Sequence, residues 1–306
     1  MNTPLSGAQF ALTFGDYSAT IASVGASLRT LSHAGRDLVV PFDADEVRPS
    51  YRGATLAPWP NRIVDGTYSF AGVDHLLPLT EPKRGHALHG LAGWLDFSAT
   101  SVTDFSVTLS TTIEAQEGYP FRLELEVSYL LDDNGLHSTV TATNTGATAA
   151  PFGTGPHPYL VAGDGTVDDW TLTLPAGRVL TVTEDRLIPA DLLDVSSLDG
   201  RFDFRAPRLL GEVFIDHAFT ALSRDDLGTA EVRVVSSAGT GVAMRWDEAC
   251  PWVQVHTADR PDPAVSRIGL AVEPMTCPPD AFNSGTDLIT IEPGDSSAAG
   301  WTIAAI

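Results

Sequence analysis

Basic side chains are scarce in this chain. One lysine, Lys83, and seventeen arginines stand against 39 aspartates and glutamates, and the formal charge over 306 residues is -21. Recognition of nucleic acid or of an anionic membrane surface needs cations that displace phosphate counterions, so neither is expected as a partner. Cysteine is nearly absent too: Cys250 and Cys277 are too few for a disulfide framework and lack the spacing of a zinc site. No apolar run suits a membrane span; residues 134–163 hold no charged side chain, but they are rich in Thr, Gly, Pro and Asn. The first residues, MNTPLSGAQFALTFG, carry neither the basic stretch nor the apolar run of a secretory signal. A reduced, cytoplasmic enzyme or binding protein is expected.

Helical i, i+3, i+4 stripes of useful length are missing as well, and no linker-like or repeated stretch divides the chain. What is present is period two. In 121–131, Phe121, Leu123, Leu125, Val127, Tyr129 and Leu131 alternate with Arg122, Glu124, Glu126 and Ser128, the pattern of a strand with one wet face. Asp132-Asp133-Asn134-Gly135 follows as a hairpin turn, then a second run with Leu136, Val140 and Ala142 on one side. The signature recurs at Phe105, Val107, Leu109 and Ile113, at Ala230, Val232 and Val234, and at Ile268, Leu270 and Val272. With 27 Gly and 21 Pro to punctuate turns, these runs predict an all-β chain, 1–306 as one domain, folded as a β-sandwich or barrel with long loops.

Histidine is the informative candidate for chemistry, because it titrates near neutrality. His157 sits in GTGPHPYL, between two prolines that fix the backbone; it is either a functional group or a loop histidine packed on Tyr159. His86 and His89, in RGHALHGLAGW, are bracketed by glycines that argue against a helical metal pair; hydrogen bonding to a polar ligand, with Trp94 as a stacking surface, suits them better. Glu273 ends RIGLAVEP, opposite in parity to Leu270 and Val272, where burial can raise its pKa for work as a general base; the competing reading is a surface Glu at a strand end. Asp216 is enclosed by apolar neighbours in VFIDHAF, and Gln254 lies opposite in parity to Val253 and Val255. Arg62, behind two prolines in PWPNRIVDG, is a fixed donor fork or the partner of Asp65. Such carboxylates and donors, without a phosphate-cradling glycine loop or a nucleophile elbow, suit a neutral polyhydroxylated ligand, of which sugars are the obvious class.

Together PWPNRIVDGTYSF (58–70), HALHG (86–90), GPHPYL (155–160), FIDHAF (214–219), VQVHT (253–257) and EPMTCPPDAFNSG (273–285) resemble, in order, the aldose 1-epimerases or galactose mutarotases. The resemblance implies a large antiparallel β-sandwich of the galactose mutarotase-like type and a small-molecule partner, a free aldohexose, with no cofactor and no metal. It implies Glu273 as general base and His157, as imidazolium, as general acid. Arg62, His89, Asp216 and Gln254, with His86 assisting, would bind the sugar hydroxyls, in a monomer or homodimer. Three other readings remain open. A hexose-6-phosphate epimerase could use Arg52, Lys83 and Arg84; a glycoside hydrolase could use Asp216 and Glu273; and a non-catalytic sugar-binding module could share the sandwich.

Overall fold

The alternating run at 121–131 becomes the strand Leu123–Asp132 in a computed structural model that describes residues 3–306. It pairs antiparallel with Gly135–Asn144, Leu131 against Leu136 and Asp132 against Gly135, so the loop is Asp133-Asn134 alone. The positive φ falls on Gly135, at 117°, and a side chain there would also collide with the carbonyl of Ile303 on the next strand.

That hairpin is the middle of a sheet which runs, edge to edge, Ser98–Val102, Ser106–Ile113, Leu123–Asp132, Gly135–Asn144, Ser296–Ala305, Gly241–Trp246, Ala230–Val235, Thr171–Thr173 and Arg208–Leu209. Opposing it is a sheet ordered Tyr159–Leu160, Leu270–Met275, Trp252–His256, Asp216–Leu222, Ala176–Val182 and Pro189–Asp194. A four-stranded sheet from Gln9–Phe14 to Arg36–Asp37 packs against the hairpin. Every named strand pair is antiparallel, and among the described residues the one α-helix is the single turn Ala281–Ser284.

Most of the expected inward set is the observed one. Val107, Leu109, Leu123, Leu125, Val127, Leu131, Val140, Val232 and Val234 from the large sheet meet Phe219, Val253, Val255, Leu270 and Val272 from the smaller one in one apolar cluster. Each such side chain taken fully out of water contributes roughly 1.5–3 kcal/mol. Phe105 departs from expectation: it precedes the strand Ser106–Ile113, is 43% exposed and packs edge to face with Phe14. Ile268 likewise lies before its strand, beside a small separate cluster of Val40, Tyr159, Ala258 and Ala271. None of the helices described is long and apolar enough to cross a membrane.

Candidate active site

Register decides what the inner strands of the smaller sheet present on their second face. Gln254 stands opposite Glu273 and Ala218, while His256 stands opposite Asp216 and Ala271. Residues directly opposed share a face. One face therefore carries Asp216, Gln254, His256 and Glu273, and the other carries Val253, Val255 and Val272 into the core.

Two loop segments close over the polar face. The short strands Gly155–Pro156 and Tyr159–Leu160 pair with Thr55–Leu56 and with Leu270–Met275, leaving His157 between them. Its backbone is held on both sides, by a bond from its N–H to the Ala54 carbonyl and one from the Gly53 N–H to its own carbonyl. The ring lies nearly parallel to Tyr159 at 5.0 Å and to Tyr51 at 6.4 Å. Packing on Tyr159 and a place in the site thus prove to be one arrangement. In the second segment, Arg62–Val64 pairs with His86–Leu88. Beyond that pair the His89 N–H donates to the Asn61 carbonyl, and the Asn61 N–H donates to His89 Nδ1 at 3.2 Å. Since Nδ1 accepts, a neutral His89 carries its proton on Nε2.

These walls enclose a cavity of about 270 Å³ lined by Arg62, His89, His157, Asp216, Gln254 and Glu273 together. His86 is the one candidate left outside. Its Nδ1 accepts from the Asp65 N–H and its Nε2 meets the Arg186 carbonyl, so both ring nitrogens serve the fold behind the wall. Arg62 does not pair with Asp65, which belongs to Arg186. Instead its Nε and Nη2 grip Glu81 at 2.7 and 3.1 Å, and Arg84 joins the same carboxylate at 2.7 Å. The cations weighed as a phosphate site do not converge as that trio. Lys83 is exposed, Arg52 donates to the Pro41 carbonyl, and Arg84 is matched by Glu81. Trp94 stays 53% exposed outside the lining, with the Arg48 guanidinium 4.4 Å from its ring centroid.

The electrostatics separate the carboxylates. Glu273 is 1% exposed, and burial, reinforced by the charge of Asp216 and opposed by Arg62, pushes its pKa well above the usual carboxylate value. Burial also acts on Asp216, but His256, Arg62 and a 2.7 Å hydrogen bond from Gln254 outweigh it and hold that group low. His157 Nε2 lies 3.5 Å from Glu273 Oε1, and burial, with His256 adding to it, lowers the His157 pKa to about 3. Burial therefore favours the neutral ring at His157 over the imidazolium that the resemblance implies. Burial lowers His89 as well, helped by His157 and Arg62. Several buried atoms of residues that line the cavity have no hydrogen-bond partner among the described residues: His157 Nδ1, Gln254 Oε1, His256 Nδ1 and Glu273 Oε2. Among the described residues no group of three or more His, Cys, Asp or Glu is placed to hold a metal ion.

Tyr51, Asn61, Glu81, His256 and Arg260 also line the cavity without having been singled out. His256 was within reach, being two residues from Gln254 on an alternating strand. Glu81 lies in a loop with no local signal. Ser50, Tyr51, Asn61 and His89 adopt left-handed φ of 49°, 56°, 54° and 61°, a conformation that sequence pattern does not announce.

Comparison with known proteins gives this geometry a context. Residues 9–303 match the family model described as aldose 1-epimerase. An uncharacterized Escherichia coli protein, YihR, is 38% identical over 294 residues, covering 96% of this chain and 92% of its own. The galactose mutarotase of Bos taurus is 29% identical over 246 residues, 73% of this chain and 68% of its own. Among solved structures, a GalM/aldose epimerase homologue from C. elegans superposes with a TM-score of 0.86 at 22% identity, over 98% of both chains. The galactose 1-epimerase of Lactobacillus acidophilus gives 0.77 at 20%, over 95% of this chain and 92% of that one. At those identities the two structures speak for the fold.

Proposed function

Because this chain belongs to the aldose 1-epimerase family, we propose that it interconverts the α and β anomers of an aldohexose by opening and reclosing the pyranose ring. The observation that carries this reading is the facing pair Glu273 and His157, buried 3.5 Å apart against a cavity that Arg62, His89, Asp216 and Gln254 also line. Residues 1–306 are read as one domain, in keeping with an apolar cluster that runs from Leu12 to Ile303.

In the forward direction Glu273 removes the proton from the anomeric hydroxyl, and the O1 electron pair forms the C1 carbonyl. The C1–O5 bond breaks, its electrons pass to O5, and His157 supplies the proton that O5 takes up. Rotation about C1–C2 exposes the other carbonyl face, and the reverse transfers close the ring as the opposite anomer. Arg62, His89, Asp216 and Gln254 hold the hydroxyls so that the anomeric hydroxyl is presented to the base and O5 to the acid.

The reactive arrangement, carboxylate with imidazolium, and the arrangement preferred by the dry site, carboxylic acid with neutral imidazole, contain the same single proton. Ring opening converts the first into the second. Burial of the pair favours the proton arrangement that accompanies the open aldehyde, so forming the reactive arrangement costs free energy, a cost that Arg62 reduces by favouring the carboxylate.

The test is anomer exchange of glucose and galactose followed by polarimetry or NMR. Acceleration over buffer for at least one hexose, lost in His157→Ala through kcat, is the expected result. No acceleration with any hexose, neutral or charged, would leave a sugar-binding protein and sink the assignment.

A further inference from the structure

The cavity wall is not charged like the rest of the molecule. Over the whole chain 39 acids face 18 lysines and arginines, yet Arg62, Arg84 and Arg260 line the cavity against Glu81, Asp216, Asp259 and Glu273. Glu81 occupies the first two arginines. Asp259, the sequence neighbour of Arg260, is turned away to Arg267, whose Nη1 lies 2.9 Å from its Oδ1.

Arg260 is left over. Among the described residues each of the other sixteen arginines places its guanidinium on a carboxylate or a backbone carbonyl. The guanidinium of Arg260 meets one neutral hydroxyl, Ser50 Oγ, at 3.2 Å. A guanidinium presents five N–H donors in a fork shaped for an oxyanion. The other arginines each find a carboxylate or a carbonyl; Arg260, exposed, lines the cavity with most of its fork unpaired among the described residues.

Its place relative to the chemistry follows from Ser50. The Tyr159 hydroxyl donates to the Ser50 carbonyl at 3.1 Å, and the Tyr159 ring stacks on His157. Arg260 thus lies on the His157 side of the cavity. If His157 serves O5, the substituent nearest that side is the one on C5, which is the C6 group. We propose that Arg260, with Ser50, receives an oxyanion carried on C6, so that the substrate of this cavity is an anionic hexose. The assignment to C6 rests on the mutarotase reading; the preference for a negative charge does not. One free guanidinium in so acidic a protein suits a singly charged group, a carboxylate or sulfonate, better than a phosphate dianion.

Equilibrium binding separates this from turnover. Glucose, glucuronate, a 6-sulfonated glucose and glucose 6-phosphate would be titrated into the wild-type chain and into Arg260→Gln, with anomer-exchange rates measured alongside. The expected result is that a singly charged hexose binds about tenfold or more tightly than glucose, and that Arg260→Gln brings this ratio close to one. Arg260→Lys should keep part of it. A preference for glucose 6-phosphate supports the same site with a dianion in it. Equal affinity for glucose and all charged hexoses, or a charge preference that survives Arg260→Gln, overturns the proposal. A charge preference without anomer exchange for any sugar would overturn the mutarotase reading alone.

Discussion

The two faces of the strands Trp252–His256 and Leu270–Met275 are both largely buried and chemically opposite. On one, Val253, Val255, Leu270 and Val272 disappear into the core; on the other, Gln254, His256 and Glu273 are nearly as buried but keep atoms without partners. Inside a core each such orphan would cost about 1–3 kcal/mol. Gathered round one cavity they form a set of sites for hydroxyl groups. The period of two is what allows this: a strand can anchor itself through alternate positions and spend those between on chemistry, with no loop between anchor and reagent.

The largest loss is expected from Glu273→Gln. Anomer exchange should fall by about 10²–10⁴ in kcat, because general base catalysis is lost. The thermal midpoint should hold, because the amide replaces a group that burial already favours in its neutral form. A wild-type rate would mean that the polar face does not carry the reaction.

On the other face, Leu270→Ala should cost roughly 2–5 kcal/mol in urea unfolding while leaving the rate per folded molecule close to wild type. A large fall in kcat of the folded variant would show that the two faces are not independent.

The smallest effect is a shift along the pH axis. The reactive pair needs one proton between its members, so kcat/KM should fall on the acid side near the His157 value of about 3, where a second proton binds. It should fall on the alkaline side where the single proton is lost, above the ordinary carboxylate range because Glu273 is raised. Asp216 contributes to that rise, so Asp216→Asn should bring the alkaline limb to lower pH. An unmoved limb would assign it to another group.

Much of the molecule is legible in its sequence because alternation is a direct record of which side of a strand is wet. The hairpin 123–144, the inward faces of both sheets and the partition of Glu273 and Gln254 from their valine neighbours all follow from it. His86 and His89 show where it ends. They share one motif and similar burial, yet one faces the cavity and the other the Arg186 carbonyl. That choice is made by tertiary partners a hundred residues away. Arg62 teaches the same point: the nearby Asp65 was the local candidate, and Glu81, brought in by a loop, took its place.

The left-handed backbone at Ser50, Tyr51, Asn61 and His89 sets terms for anyone redesigning the pocket. A library that admits valine or isoleucine at 61 or 89 will discard those members for their main chain, whatever their side chains would have done for a ligand. Asparagine, aspartate and glycine keep the curve of the wall. His89→Asn is accordingly the substitution that removes an imidazole while preserving the shape, and alternative specificities are best sought by holding these four positions and varying the straight strands opposite.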